Sequence, residues 1–410
     1  MTARQFVLEL GRAMHALGSP SYRVEDTMDA CSRALGLEGA FFCTPTAIFA
    51  ALGEKGAEPK TSLLRVAPGE HDLGRLADLY SIRDSVVRGH ARPEDGLRDV
   101  HEVLHRPRRQ RRRADPFAHA LAGAGAAVLL GGGQDEAIVA AGAGLVVGLM
   151  GLLARVRIGF GDVQTALSCA VVAFLVRLFA AQWPIDRTIA TVAAIVVLLP
   201  GLSFTTALAE LSMRHLASGS ARLLGTLAVL LTMGVGVGIG DRCGELITGT
   251  LASVAAERLS WPWHAFGLAA TWCAFVVILR ASRRQVVWVA CAVLLGYLGA
   301  RLGSGLLGRE LGAFLGALLV TVGAHLFARW RRQPSAVVRT PGLLLLVPGS
   351  LGFRGLATAV GGDVPASLQW LVQMVVVGGA IVAGMLMAGV LVPPPLDVEP
   401  DSRALPGDVP

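Results

Sequence analysis

Charge is what this chain has least of. Only 16% of its 410 residues are Asp, Glu, Lys or Arg, against roughly 25% in a soluble globular domain. Tyrosine occurs three times. The six cysteines, at 31, 43, 169, 243, 273 and 291, share no CxxC or metal-ligand spacing, so no redox motif and no metal site is expected. The first 116 residues hold no uncharged apolar stretch, and no signal peptide is expected there. Glu25, Asp26, His71 and Asp72 come without a nucleophile–base spacing or a phosphate loop. Surface and capping roles are expected of them, and neither an enzyme nor a cofactor. The basic run from Arg106 to Arg113 lacks interleaved aromatics and ends at an apolar span. It is expected to anchor the chain on the inner side of a membrane rather than to bind nucleic acid.

What the chain has is apolar length. Hydrophobic residues make up 53% of it and glycine occurs 50 times, with a mean hydropathy of +0.57, as in helices that pack closely in a bilayer. Residues 1–105 predict an α+β domain: helices over Phe6–Leu17, Ser21–Leu35, Leu73–Val86 and Asp95–Leu104, with strands at Phe41–Cys43, Ala47–Ala50 and Ser62–Val66. After a basic linker, 106–116, ten apolar spans follow. Five fall in 117–241, at about 117–133, 136–156, 164–182, 187–211 and 219–240. Five fall in 264–392, at about 264–281, 285–301, 310–330, 340–360 and 367–392. The second five begin within about five residues of the first five shifted by 148. A five-span repeat must insert upside down relative to its copy, which predicts a membrane all-α fold of two inverted five-helix repeats. The arginines crowd into alternate loops, which puts both termini in the cytoplasm. Residues 393–410 predict a disordered tail.

Two stretches stand out, Leu198–Thr205 and Leu346–Arg354, each with a Pro-Gly pair inside an apolar run. Pro348 follows Pro200 by 148 residues. Proline removes a backbone donor and breaks the helix. In lipid, such a break survives only where protein or a wet cavity satisfies the freed groups. Half-helices starting near Gly201 and Gly349 would offer N–H groups suited to a carboxylate. Substrate contacts are therefore expected at Pro200, Gly201, Ser203, Thr205, Thr206, Pro348, Gly349 and Ser350, with Arg354 countering a carboxylate. Ionisable groups within spans are functional by default. Glu210, His215, Arg177 and His325 are the candidates for proton coupling or gating, and three of them have a bland alternative. For Arg177 and His325, which are 148 residues apart, that is snorkelling to an interface. For Glu210 it is an i,i+4 salt bridge to Arg214.

These residues carry a resemblance. Leu10-Gly-Arg, Gly18-Ser-Pro-Ser-Tyr-Arg-Val-Glu25, Thr44-Pro-Thr-Ala-Ile-Phe49, Pro200-Gly-Leu-Ser-Phe-Thr205, Ser218-Gly-Ser-Ala-Arg222 and Val347-Pro-Gly-Ser-Leu-Gly-Phe-Arg-Gly-Leu356 resemble the threonine/serine exporter family in its fused form. The resemblance implies an inner-membrane secondary exporter of small hydroxy amino acids, driven by the proton motive force. The family pattern of Arg-Asp after the first break and Gly-Asp a turn later is Ala209-Glu210 and Arg214-His215 here, and its Asn after the Pro-Gly is Thr206. The expected partners are a small amino-acid or organic-acid substrate, protons and the lipid bilayer; a homo-oligomer is left open. Two alternatives stand beside this: export of a small dicarboxylate such as succinate on the same fold, and a membrane-anchored sensor or enzyme working through residues 1–105.

Overall fold

The computed structural model describes residues 2–394 except 68, 70, 107–113, 157–158, 253, 258 and 309–310. Most of the expected basic linker and the tail from 395 lie outside the described residues.

Residues 2–105 form an α+β unit. Helices α1 (Thr2–Ala16) and α2 (Ser21–Ala34) precede strands β1 (Leu37–Thr44), β2 (Ala47–Glu54) and β3 (Lys60–Arg65), and α3 (Leu73–Val87) and α4 (Pro93–His105) follow. The strands make an antiparallel meander, β1-β2-β3. Thr44 pairs with Ala47 across Pro45-Thr46, so a two-residue hairpin sets the register. Phe6, Leu10 and Met14 recur at helical spacing on α1 and meet Met28, Ile48, Leu52 and Leu79 in a closed core. Burying each such side chain contributes about 1.5–3 kcal/mol. All three strands run longer than the sequence pattern suggests, because the antiparallel pairing continues from Leu37↔Glu54 to Thr44↔Ala47 and from Ala47↔Arg65 to Leu52↔Lys60.

The remaining helices are apolar. They are α5 (Asp115–Leu129), α6 (Gln134–Ala154), α7 (Phe160–Ala180), α8 (Arg187–Ala194), α9 (Gly201–Ser212), α10 (Leu216–Thr248), α11 (Trp261–Ile278), α12 (Val286–Leu307), α13 (Gly312–Arg331), α14 (Ala336–Leu346), α15 (Gly349–Val360) and α16 (Val364–Leu391). Among the described residues, eight helical segments are long and apolar enough to cross a membrane, α14 and α15 counting as one. The bent pair Arg187–Ala194 and Val196–Ser212 makes a ninth. Helix α5, expected as the first of ten spans, has 15 residues, a length of about 22 Å. This is a multi-pass membrane protein.

Small residues let these helices close on one another. A Cβ on Gly240 would meet Ala170 O at 2.0 Å, and one on Gly244 would meet the Arg177 side chain at 2.8 Å. Gly236, Gly240 and Gly244 thus form the seam that seats α10 on α7. Contacts recur at the 148-residue offset. A Cβ on Gly236 would stand 2.4 Å from Ala166 O, and one on Gly384 would stand 2.4 Å from Phe314 O. A Cβ on Gly378 would meet Phe204 at 2.7 Å, and one on Gly352 would meet Leu230 at 3.1 Å. In this last pair the glycine and the large residue have changed sides.

Candidate functional site

Both helices break at the same bond. Leu199 (φ −64°, ψ 124°) and Val347 (φ −63°, ψ 138°) are extended. Pro200 (φ −81°, ψ 39°) and Pro348 (φ −83°, ψ 32°) then lead into α9 and α15. The two breaks touch. A Cβ on Gly201 would lie 2.6 Å from Val347 Cγ2 and 3.1 Å from Gly349 N, and one on Gly349 would lie 3.2 Å from Gly201 Cα. Only glycine allows the two backbones so close.

A cavity of about 760 Å³ opens against this crossing. Pro200, Gly201, Ser203, Gly349 and Ser350 line it. The first N–H groups of α9 and α15 have no partner within their own helices, and both helix starts carry partial positive charge. Further polar lining comes from Asp115 and His119 of α5, Arg155 after α6, Gln164 of α7, Thr271 of α11 and His71 of the N-terminal unit. Asp115 Oδ2 accepts from Arg155 Nη1 at 2.9 Å. His119 Nδ1 lies 2.8 Å from Asp115 O; that nitrogen therefore donates, leaving Nε2 of the neutral ring as an acceptor. Burial, aided by the Arg222 charge, lowers the His71 pKa to about 4, so its ring is neutral at pH 7.

The other expected residues lie elsewhere. Pro348 is buried at its break. Thr205 and Thr206 line a separate void of about 50 Å³ shared with Pro20, Arg23 and His71, and Thr205 Oγ1 donates back to Gly201 O at 3.1 Å. Arg354 does not line the cavity among the described residues; its guanidinium lies 5.5 Å from the Trp370 ring centre.

Glu210 is fully buried and its carboxylate has four donors. Arg222 Nε and Nη2 donate at 3.1 Å each. Ser218 Oγ donates at 2.9 Å and the Ser21 N–H, at the start of α2, at 3.1 Å. Its ion-pair partner is thus Arg222, not Arg214. Helix α9 ends at Ser212, and Arg214 is left-handed (φ 66°), which removes the i,i+4 geometry. Beside it, His215 Nδ1 lies 3.4 Å from Glu25 Oε2. Glu25 also accepts from the Cys43 N–H at 2.6 Å; burial raises its pKa, while that N–H and His215 oppose the rise. Glu210 and His215 therefore fasten the end of the first broken helix to the N-terminal unit. Glu25 and His71, read from sequence as surface residues, sit at this junction. Asp72 caps α3, as expected, by accepting from the Arg75 N–H at 3.0 Å.

Arg177 and His325 occupy equivalent places. Arg177 donates to Gly249 O (2.8 Å), Thr248 Oγ1 (3.1 Å) and Asp241 Oδ1 (2.8 Å), holding the end of α10. His325 Nδ1 lies 2.6 Å from Val392 O at the end of α16. Helix α7 thus grips the carbonyl that ends α10, and α13 the carbonyl that ends α16. Sequence reasoning missed Asp115, His119 and Arg155. The available signal was an Asp and a His four residues apart at the start of α5.

Two family models cover most of the chain. Residues 5–242 match one described as "Putative threonine/serine exporter", and residues 264–391 match a second, "Threonine/Serine exporter, ThrE". Among curated proteins, the chain is similar to pheromone-regulated membrane protein 10 of Candida albicans, 24% identical over 427 residues, covering 95% of this chain and 38% of that protein. The protein of that name from Saccharomyces cerevisiae is 22% identical over 370 residues, covering 85% of this chain and 46% of its own length. An uncharacterized protein of Schizosaccharomyces pombe is 23% identical over 370 residues, with coverages of 87% and 44%. The chain spans less than half the length of each of these relatives. No solved structure matches it. With a family model over each half, the chain belongs to the threonine/serine exporter family, in the fused form that carries both halves.

Proposed function

We propose that the protein is a secondary exporter of small hydroxy amino acids, threonine and serine, driven by the proton motive force across an inner membrane. The observation that carries this is the crossing of two Pro-Gly breaks, Gly201 against Gly349, at the wall of one cavity. Two helix starts aimed at one space suit a carboxylate. Ser203 and Ser350 suit a hydroxyl, and Asp115 on the same lining suits an ammonium group. Site binding involves Pro200, Gly201, Ser203, Pro348, Gly349 and Ser350, with Thr205, Thr206 and Arg354 supporting the breaks from behind.

The contacts repeated at 148 residues support two inverted five-helix halves, with α5 as the first of ten spans and both termini cytoplasmic. Rocking of one half on the other then exposes the cavity alternately. Glu210 and His215 anchor the gate at the first break, and Arg177 and His325 clamp the two halves internally. Among the described lining residues of the membrane helices, His119, whose Nε2 is left as an acceptor beside the Asp115–Arg155 pair, is the group that carries the proton.

The test is efflux from proteoliposomes loaded with labelled threonine, serine or succinate, with and without an uncoupler. Threonine or serine efflux that the uncoupler abolishes is the expected result. Efflux of succinate alone would replace the substrate with a dicarboxylate, and no flux of any of the three would remove the transport assignment.

A further inference from the structure

A second cleft, of about 650 Å³, shares no lining residue with the cavity and lies between α3 and the ends of the membrane helices nearest it. Arg88 reaches it from the end of α3, Arg283 and Arg284 from the α11–α12 link, and Arg331 and Arg332 from the end of α13. Two acids share the lining, and both are engaged by other arginines. Asp84 Oδ1 accepts from Arg83 at 2.9 and 2.7 Å, and Asp78 Oδ2 from Arg106 at 3.2 Å. Among the described residues, none of the five cleft arginines is in a salt bridge. Five cations from three separate segments therefore converge on one space in which no described carboxylate pairs with them.

The surroundings indicate which anion fits. Trp330 is 72% exposed and packs against Trp288, and Arg331 lies over its ring at 5.5 Å. A tryptophan between apolar helix and arginine marks the headgroup level of a bilayer. Guanidinium groups bind phosphate oxygens in pairs, and Ser81, Ser85 and Ser282 add hydroxyls to the wall. The negative end of α13 accounts for a basic residue or two in its last turn, but not for Arg88, Arg283 and Arg284 across the cleft. Arg332 is left-handed, φ 49°, at a position where helices favour glycine.

We propose that this cleft binds a phosphate-bearing anion, the headgroup of an anionic lipid, and that the bound phosphate bridges Arg88 of the N-terminal unit to the arginines of the membrane helices. The lipid then tightens the docking of that unit over the transport cavity. This inference stands whether or not threonine is the substrate.

Binding of fluorescent phosphatidylglycerol to the purified full chain in neutral detergent tests it, with phosphatidylcholine of the same chain length and inorganic pyrophosphate as competitors. Each arginine removed weakens binding about fivefold, so R283Q/R284Q loses about 25-fold and R88Q about fivefold. R283K/R284K keeps the charge but not the paired donors and loses less than R283Q/R284Q, and R98Q, an exposed arginine elsewhere on the N-terminal unit, is neutral. Phosphatidylcholine does not compete. Pyrophosphate binding that needs these arginines, without lipid binding, would overturn the lipid as the source of the phosphate. Equal binding by wild type and R283Q/R284Q, or equal displacement by phosphatidylcholine, would overturn the site itself.

Discussion

The breaks before α9 and α15 have nearly the same backbone angles, yet their surroundings differ. The chain enters the first through the short helix α8 and a 3₁₀ turn at Val196–Leu198, with a bend of 55° between Ala194 and Val196, ahead of Pro200. The second belongs to a segment, Ala336–Ala359, straight enough to count as one span. Beyond the first break, Glu210 ties α9 to Ser21, Ser218 and Arg222. The equivalent position after the second break is Thr358. The Pro-Gly pair thus fixes only the local break, while neighbouring segments decide how far the helix bends and what holds it. One half is latched to the N-terminal unit through its broken helix, and the other presents the same break without that latch.

Breaking the latch should have the largest effect. Glu210→Ala leaves Arg222 without its carboxylate partner, a loss of about 3–5 kcal/mol for a buried pair. Thermal melting of the purified protein should fall accordingly, with earlier proteolytic release of residues 1–105, while Thr358→Ala should change neither. The next largest effect comes from healing a break. At the second site only Val347-Pro348 interrupts the helix, so Pro348→Ala removes a barrier to continuous helix of about 3 kcal/mol. Pro200→Ala leaves the 3₁₀ turn in place, and transport should fall more for Pro348→Ala than for Pro200→Ala.

Smaller losses should follow from crowding the crossing. Gly201→Ala puts a methyl against Val347 and the Gly349 backbone, an overpacking of about 1–3 kcal/mol. Adding Val347→Ala should return part of the lost flux. The smallest effect is that of pH on His71. Its pKa falls to about 4 on burial, against about 6.5 when exposed. The undocked ring therefore takes up a proton first as pH drops, and docking weakens between those two values. By pH 6 the loss is on the order of 1 kcal/mol, seen as faster proteolysis of the junction, and His71→Gln should flatten that dependence.

The breaks were legible because Pro-Gly in an apolar run admits little else, and the 148-residue offset because span length is set by the bilayer. The alternating apolar faces of residues 2–105 likewise announced their core. What stayed hidden depends on where helices stop. Glu210 and Arg214 looked like an i,i+4 pair until the end of α9 at Ser212 separated them and let Arg222 reach back from α10. Asp115, His119 and Arg155 share the cavity with Gly201 and Gly349, but they come from segments that only tertiary packing joins. Arg354 looked suited to a carboxylate by its distance from Pro348. On α15 its side chain lies over Trp370.

The central claim is that both breaks serve a single ligand, and cysteine protection tests it most directly. In a background with all six native cysteines replaced, Ser203→Cys and Ser350→Cys would be labelled separately with a small thiol reagent, with and without threonine. Slowing of both labelling rates at the same threonine concentration is the predicted result. Protection of one cysteine alone, or of neither, would contradict a shared site.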